Sequence, residues 1–382
     1  MPDATTTHSG RLPSLDILRG ATVAMMILVN NPGSWSSVFG CLSHSAWDGC
    51  TPTDLVFPFF LFIVGASIRF AFRRYDWRLT RRTAARILRR GAAIWIVGIA
   101  ISKFPYYDFI AGEWSSWHDV RIMGVLPRIA LCYSIGALLC LGLRSGRRIA
   151  LAALLLAAAY QTLVYALGDA TLEGYFGSAL DNAILGESHL YHGYRDAAGA
   201  RVAFDPEGLA GTMTATVNVM LGYLAAMCMA GGSDGRLRMA AWGGTAIVAA
   251  LALNGAIPIN KPIWSASYAL YTCGIAAVLW YWVSRLTDRD EGAGRVGNIF
   301  RVFGSNALFA YVLSTLIVKI VAQMRVWNGA HDALVSPYSR WWEMLAAATT
   351  PRIGSLLAAL SLVALCWAVT WPLYKKRIFI KL

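Results

Sequence analysis

In the stretch "LSHSAWDGCTPTDLVFPFFLFIVGA", His44, Trp47, Asp48 and Asp54 put a polar, proton-handling cluster directly before a long apolar run. Imidazole titrates nearer neutrality than any other unperturbed side chain, so His44 can take a proton from a nucleophile and return it. Read alone, His44 is a loop histidine as readily as a base, and its surroundings must decide. In "FDPEG", Asp205 and Glu207 can hold sugar hydroxyls or an amine, or Asp205 can simply open a turn at Pro206. His189 and His192 sit near Glu187, but no HExxH pattern or further ligand set accompanies them, so no metal is expected. Asn30, closing the first apolar run, can donate to a developing oxyanion or cap a helix.

Four further residues are candidates for holding an anionic cofactor. Arg19 stands three residues after Asp16, which suits an ion pair on one helix face or an anion site. Arg128 lies inside an apolar run, where a guanidinium is costly unless it faces a bundle interior or a watery cavity, and its planar fork suits phosphate or carboxylate. Pro127 before it can kink or end the helix. Lys261, between two prolines in "IPINKPIWSASY", can bind phosphate or snorkel at an interface. Asn306 in "FGSNALFAYV" is grouped with them, although interhelix hydrogen bonding explains it equally well. There is no Walker loop, GxSxG elbow or dinucleotide fingerprint.

The elements that must position these groups are membrane helices. The chain is 57% hydrophobic and 14% charged, with a mean hydropathy of +0.50, whereas a soluble protein carries about 25% charged residues. At about 20 apolar residues per crossing, the runs near 14–32, 52–72, 87–104, 121–142, 149–167, 212–231, 238–254, 263–283, 302–324 and 351–372 predict an all-α polytopic bundle of about ten spans. A tail over 1–13 precedes a single transmembrane domain over 14–382. The net charge of +13 is concentrated in "RFAFRRYDWRLTRRTAARILRR", around Arg144–Arg148, around Arg236–Arg238 and Arg285–Arg301, and in "KKRIFIKL". By the positive-inside rule both termini are then cytoplasmic. Basic residues spread over several loops without a binding motif argue against nucleic acid. The loops near 33–51, 105–120, 168–211, 255–262 and 325–350 fall on the far side, with His44 among them. No cleaved signal peptide is expected. Cys41 and Cys50 flank His44, and whether they pair is left open.

Seven blocks in order, "RLPSLDILRG", "SHSAWDGCTPTDLVFPFFLFIVG", "GVLPRIALCY", "LGESHLYHGYR", "FDPEGLAGT", "INKPIWSASY" and "PLYKKRIFIKL", give the chain its resemblance to a family. It resembles the transmembrane acetyltransferases of the heparan-α-glucosaminide N-acetyltransferase type and their bacterial inner-membrane relatives associated with N-acetylglucosamine use. The resemblance implies transfer from cytoplasmic acetyl-CoA to the amine of a glucosamine-type sugar across the membrane, in a multi-pass protein of the bacterial inner (cytoplasmic) membrane. It maps the family's motif histidine onto His44, its asparagine onto Asn30 and its acidic pair onto Asp205 and Glu207. The lumenal N-terminal domain and extra first helix of the lysosomal enzyme are not expected here. Pro127 stands where glutamine is expected, and the loop from Asn30 to His44 is slightly longer.

His44 and Asn30 are therefore expected to be catalytic. Trp47, Asp48, Asp54, His189, Asp205 and Glu207 are expected to bind substrate, and Arg19, Arg128, Lys261 and Asn306 the acetyl-CoA. Expected partners are an amino sugar, the lipid bilayer and a second copy in a homodimer. Two mechanisms are open: direct attack with His44 as base, or an acetyl-histidine intermediate. The alternatives in function are an O-acyltransferase acting on a cell-envelope glycan and an amino-sugar transporter.

Overall fold

Backbone in hydrocarbon must satisfy its own N–H and C=O groups, so long apolar runs become helices. The computed structural model describes residues 12–288, 294–328 and 333–380. The expected tail over 1–13 lies almost wholly outside them, as do Arg289 and the last two residues of the closing basic segment. The helices are α1 (Pro13–Asn30), α2 (Val56–Ala71), α3 (Arg81–Lys103), α4 (Val125–Leu143), α5 (Gly146–Ala166), α6 (Phe176–Leu185), α7 (Thr212–Met229), α8 (Gly232–Leu253), α9 (Ala266–Thr287), α10 (Gly294–Ser305), α11 (Ala307–Gln323), α12 (Pro337–Ala348) and α13 (Pro351–Lys375). Three two-stranded antiparallel hairpins lie in the loops and pair Tyr107–Asp108 with Glu113–Trp114, Tyr194–Arg195 with Arg201–Val202, and Val326–Asn328 with Ala333–Val335.

The protein is a mostly helical, polytopic membrane protein. Each of the ten expected runs is helical, but by length and composition six helices among the described residues can cross a membrane. They are α2 with its leading turn, α4, α5, α7, α9 and α13, and α10 with α11 makes a seventh if that pair, bent by 82°, counts as one span. Charge lowers the rest: Asp16 and Arg19 in α1, the arginines that open α3, and Asp234, Arg236 and Arg238 in α8.

Glycines set the helix contacts, because small residues let membrane helices approach without a side chain between them. On α2 and α7, a Cβ at Gly65 would stand 1.9 Å from the Val219 carbonyl oxygen, and one at Gly222 would stand 1.9 Å from that of Phe62. Gly20 meets Phe300 and Gly304 meets Asp16 in the same way where α1 crosses α10. α4 packs against α3 and α7, with Leu126, Ile129, Tyr133 and Ala137 buried in the core that includes Val219 and Tyr223.

The contacts sort the chain into two ends. Ser14 bonds Asp288, Arg236 approaches Asp288, Arg19 reaches Ser67 and the Gly304 carbonyl, and Asn306 bonds Ile378 and Ile380 at one end. This end carries Arg69 in the last turn of α2 and Arg73, Arg74 and Arg78 after it, and we call it the basic mouth. The opposite end joins loops near 48, 120, 170, 189, 205 and 260, and it is the acidic mouth. Along α2 the two are about 20 Å apart at 1.5 Å per residue.

Gly65→Leu is expected to destabilise the protein by about 1–3 kcal/mol or more, since the new side chain meets backbone that cannot swing away. Gly244→Ala, with nothing within 4 Å of the added Cβ, serves as the neutral control. The two melting temperatures in one detergent check this, and equal values would contradict the α2–α7 contact.

Candidate active site at the acidic mouth

Asp54 begins the site. It lies in the turn Pro52–Leu55 that leads into α2, where a carboxylate satisfies the open N–H groups of a helix start. Its Oδ2 accepts from the Thr51 N–H at 2.9 Å, the Thr51 hydroxyl at 3.0 Å and the Ser45 N–H at 3.1 Å. The other oxygen, Oδ1, lies 2.6 Å from His44 Nδ1 and 3.3 Å from Lys261 Nζ. Its side chain is fully buried, whereas that of His44 is 43% exposed. A carboxylate on Nδ1 fixes the tautomer with its proton there, which leaves Nε2 as the acceptor.

Lys261 arrives on a turn held from both sides. Asp48 and Asn260 form an antiparallel bridge, with Asn260 Nδ2 donating to Asp48 Oδ1 at 3.0 Å, and the Gly49 N–H bonds the Ile259 carbonyl at 2.7 Å. Burial pulls the Lys261 ammonium below its usual range, against the charges of Asp54 and Glu207. Burial likewise pushes the Cys50 thiol up to about 12, aided by Asp54. Cys41 and Cys50 are separate thiols in this structure.

An acidic shelf completes the mouth. Arg121 forks onto Asp205, with Nε to Oδ2 at 2.8 Å and Nη2 to Oδ1 at 2.6 Å, and Nη2 also bonds Glu207. The Tyr191 ring stacks on the guanidinium at 4.7 Å. Burial works against the Arg121 charge, but the two carboxylates more than restore it and hold the group above its usual range. Trp47 donates Nε1 to the Ala170 carbonyl at 2.8 Å, and its ring packs on Tyr194 and Phe204.

Behind the shelf, Arg128 Nη2 bonds the Gly208 carbonyl at 2.7 Å, and its guanidinium lies 5.1 Å over Trp264. Asp181 on α6 accepts from the Leu209 N–H at 2.8 Å. These two buried side chains clamp the segment that carries Asp205 and Glu207. Burial pushes the Asp181 carboxyl up to about 6; the Leu209 N–H opposes this, Asp205 adds to it, and Arg128 opposes it.

The geometry thus gathers His44, Trp47, Asp48, Asp54, Asp205, Glu207 and Lys261 at one mouth. His189 is near them but spends Nδ1 on the Val120 carbonyl at 2.7 Å, where it joins two loops. Asn30 is the exposed last residue of α1, and its side chain makes no hydrogen bond to this cluster among the described residues. The four expected acetyl-CoA residues do not form one site. Arg128 and Lys261 belong to the acidic mouth, whereas Arg19 is tied to Asp16 and Ser67, and Asn306 clasps Ile378 and Ile380 at the basic mouth. Sequence reasoning missed Arg121, which it placed inside a span. The available signal was an arginine preceding an apolar run on the side where basic residues are sparse. No group of three or more possible metal ligands occurs among the described residues.

Fold and mouth together define a polytopic helical membrane protein with a carboxylate-oriented histidine beside an acidic shelf. Residues 11–177 match the family model described as heparan-alpha-glucosaminide N-acetyltransferase, catalytic. The chain aligns with heparan-alpha-glucosaminide N-acetyltransferase of Mus musculus at 27% identity over 440 residues, covering 100% of this chain and 62% of the relative. The Homo sapiens protein of that name is 31% identical over 313 residues, 68% of this chain and 46% of the relative. The chain is a relative of this family, and it spans about half to three-fifths of the length of these proteins. Both relatives are mammalian, which overturns the expected bacterial inner-membrane location.

Asp181 supplies a pH test of the clamp. Its value in the folded protein lies above the ordinary 3.8, so folding is penalised as pH rises past 3.8, and the penalty is complete above about 6. Asp181→Asn removes that penalty and keeps an acceptor for Leu209. The variant is expected to match the parent near pH 4 and to exceed it at pH 7 by at most roughly 3 kcal/mol. A melting-temperature difference that does not grow with pH would contradict the buried carboxylate.

Proposed function

We propose that the protein is a membrane-embedded acyltransferase that moves an acetyl group from acetyl-CoA to the amine of a glucosamine-type sugar at the acidic mouth. The observation that carries this reading is the His44–Asp54 pair: Nδ1 committed at 2.6 Å to a buried carboxylate, and a half-exposed ring whose Nε2 is left to accept a proton. The match to acetyltransferases of the same printed name supports the reaction class.

The acceptor must attack as a neutral amine. Its nitrogen bonds to the thioester carbonyl carbon while His44 Nε2 takes the proton it sheds. The C–S bond then breaks, and the proton returns from the imidazolium to the departing thiolate. Asp54 holds the ring in place and stabilises its charged form in passing. Glu207 and the Arg121–Asp205 pair offer acceptors and a donor to sugar hydroxyls, so that binding energy fixes the angle of attack. Trp47, with its indole N–H already bonded, contributes an aromatic face. Asn30 is retained as a candidate donor to the thioester oxygen, a role that requires the donor's acyl end to reach the end of α1.

For the nucleotide end of the donor, the basic mouth, where Arg19 and Asn306 lie, fits better than the acidic mouth with Arg128 and Lys261. At the basic mouth the Arg69 guanidinium lies 3.6 Å from the Trp77 ring centroid and bonds the Tyr223 hydroxyl, and Arg90 stands over Tyr133. Planar cationic forks beside aromatic faces suit phosphates and a purine. The basic mouth is then the cytoplasmic one, and the acyl arm runs between the two mouths.

The test uses purified full-length protein, radiolabelled acetyl-CoA, and glucosamine or N-acetylglucosamine as acceptor. Acetylated product is expected from glucosamine alone, because N-acetylglucosamine offers hydroxyls but no free amine. His44→Ala is expected to lose about 10²–10⁴-fold in turnover. No labelled protein is expected in the absence of acceptor. Product from both sugars would turn the reading to O-acyl transfer, near-normal turnover of the variant would remove His44, and label on His44 would replace direct attack by a covalent relay.

A further inference from the structure

Lys261 carries a role that neither phosphate binding nor snorkelling describes. Its Nζ stands 2.9 Å from His44 Nδ1, 3.4 Å from Nε2 and 3.3 Å from Asp54 Oδ1. Near-equal approach to both ring nitrogens sets the ammonium against the ring rather than in line with either lone pair. Nδ1 already faces Asp54 at 2.6 Å, so Lys261 acts on the imidazole through its charge. The side chain is only 18% exposed, which limits screening by solvent.

The turn delivers this charge rigidly. Asn260, fully buried, accepts from the Ile263 N–H at 3.0 Å and donates to Asp48, while the Trp264 N–H closes onto the Lys261 carbonyl at 3.0 Å. Trp264 is held in the left-handed region at φ 55°, and its indole N–H is bonded to Asn218 at 3.0 Å. A lysine free to leave would not be built on a backbone fixed at so many points.

We propose that Lys261 is a positioning residue that keeps the His44 imidazole neutral and oriented, and so available as a base. Asp54 facing the ring alone would favour the imidazolium, which has no lone pair left to take a proton. A second positive charge beside the ring opposes that. The other charged or titratable groups around the pair are Asp48 and Cys50 on the same loop, and Glu207 and Asp205 with Arg121 across the mouth. Tyr194 on its hairpin and the Tyr268 hydroxyl, which donates to the Asp54 carbonyl at 2.5 Å, complete the set. Arg121 is taken up by Asp205 and Glu207, so that among the described residues Lys261 is the cation at the ring. The proposal rests on His44 being the base, but its first test does not use turnover.

Diethyl pyrocarbonate modifies neutral imidazole, and mass spectrometry of the His44 peptide over a pH series gives the midpoint of its reactivity. In the whole chain, Lys261→Met is expected to move that midpoint upward, whereas Lys261→Arg leaves it near the parent value. Lys261→Gln, a polar side chain without the charge, is expected to behave like the Met variant and stands in for it if that variant is not monodisperse. The acidic limb of kcat/KM should move with the reactivity midpoint. An unchanged midpoint in both neutral variants overturns the proposal, whatever the turnover. A displaced midpoint in a protein that never acetylates an amine keeps Lys261 in this role and removes the base reading instead.

Discussion

A carboxylate at the entrance of an apolar helix must be given donors or stay in water, and Asp54 is buried. The donors come from different parts of the chain: Ser45 and Thr51 from its own loop, His44 from the motif, and Lys261 from the turn before α9. Meeting that one requirement organises the mouth. It caps the start of α2, selects the tautomer of His44 and draws the 258–265 turn against the 44–51 loop. Tyr268 adds α9 through the Asp54 carbonyl oxygen. An unpaired carboxylate here would cost several kcal/mol, so the partners are bound to one another by the penalty of separating them.

The separation of charge along the bundle follows from the same economy. Glycine contacts between α2 and α7 bring backbones together over the middle of the molecule, and those between α1 and α10 do so at the basic mouth, beside Asp16 and Arg19. The clusters of charged side chains described above lie at the two mouths, while neutral polar groups such as Asn218 and Thr272 pair between them. Arginines cluster at one, on aromatic faces; carboxylates cluster at the other, on Arg121 and Lys261. A reaction that joins a polyanionic donor to an amine needs both environments, and a single mouth could not supply them without mutual interference.

Much of the acidic mouth is legible in the sequence because its parts are compact motifs. "SHSAWDG" with Asp54 and "DPEG" place an imidazole and carboxylates in polar loops beside apolar runs, and topology then brings those loops to one end. What is not legible is pairing across long separations. Arg121 read as the opening of a span, although the helix starts at Val125 and the arginine belongs to Asp205 far along the chain. Arg128 is buried, as an arginine inside an apolar run must be unless it faces water, but the loop it bonds, at Gly208, has no signal in its own segment. Lys261 and Asn306 show the same limit. An isolated lysine between prolines, or an asparagine near an inner helix end, has no signal for the His44 ring or for the Ile378–Ile380 backbone it meets. Span number is equally a matter of context, since α1, α3 and α8 carry charges that a hydropathy rule counts against them while the fold pairs several of them.

In a chain of net charge +13, the groups around His44 sum to an excess of negative charge, since Asp48, Asp54, Asp205 and Glu207 outnumber Arg121 and Lys261. A sugar whose amine is protonated in water is drawn to such a surface, and a polyphosphate is repelled from it. In the proposed reaction the ammonium gives up one proton to solvent before it attacks, and the proton that the nitrogen sheds as it bonds to the carbonyl carbon is the one that His44 takes. Transferring one positive charge from the acceptor to His44 leaves the total unchanged within the mouth. On the proposed reading, the carboxylates that attract the acceptor would also stabilise the imidazolium formed in the reaction.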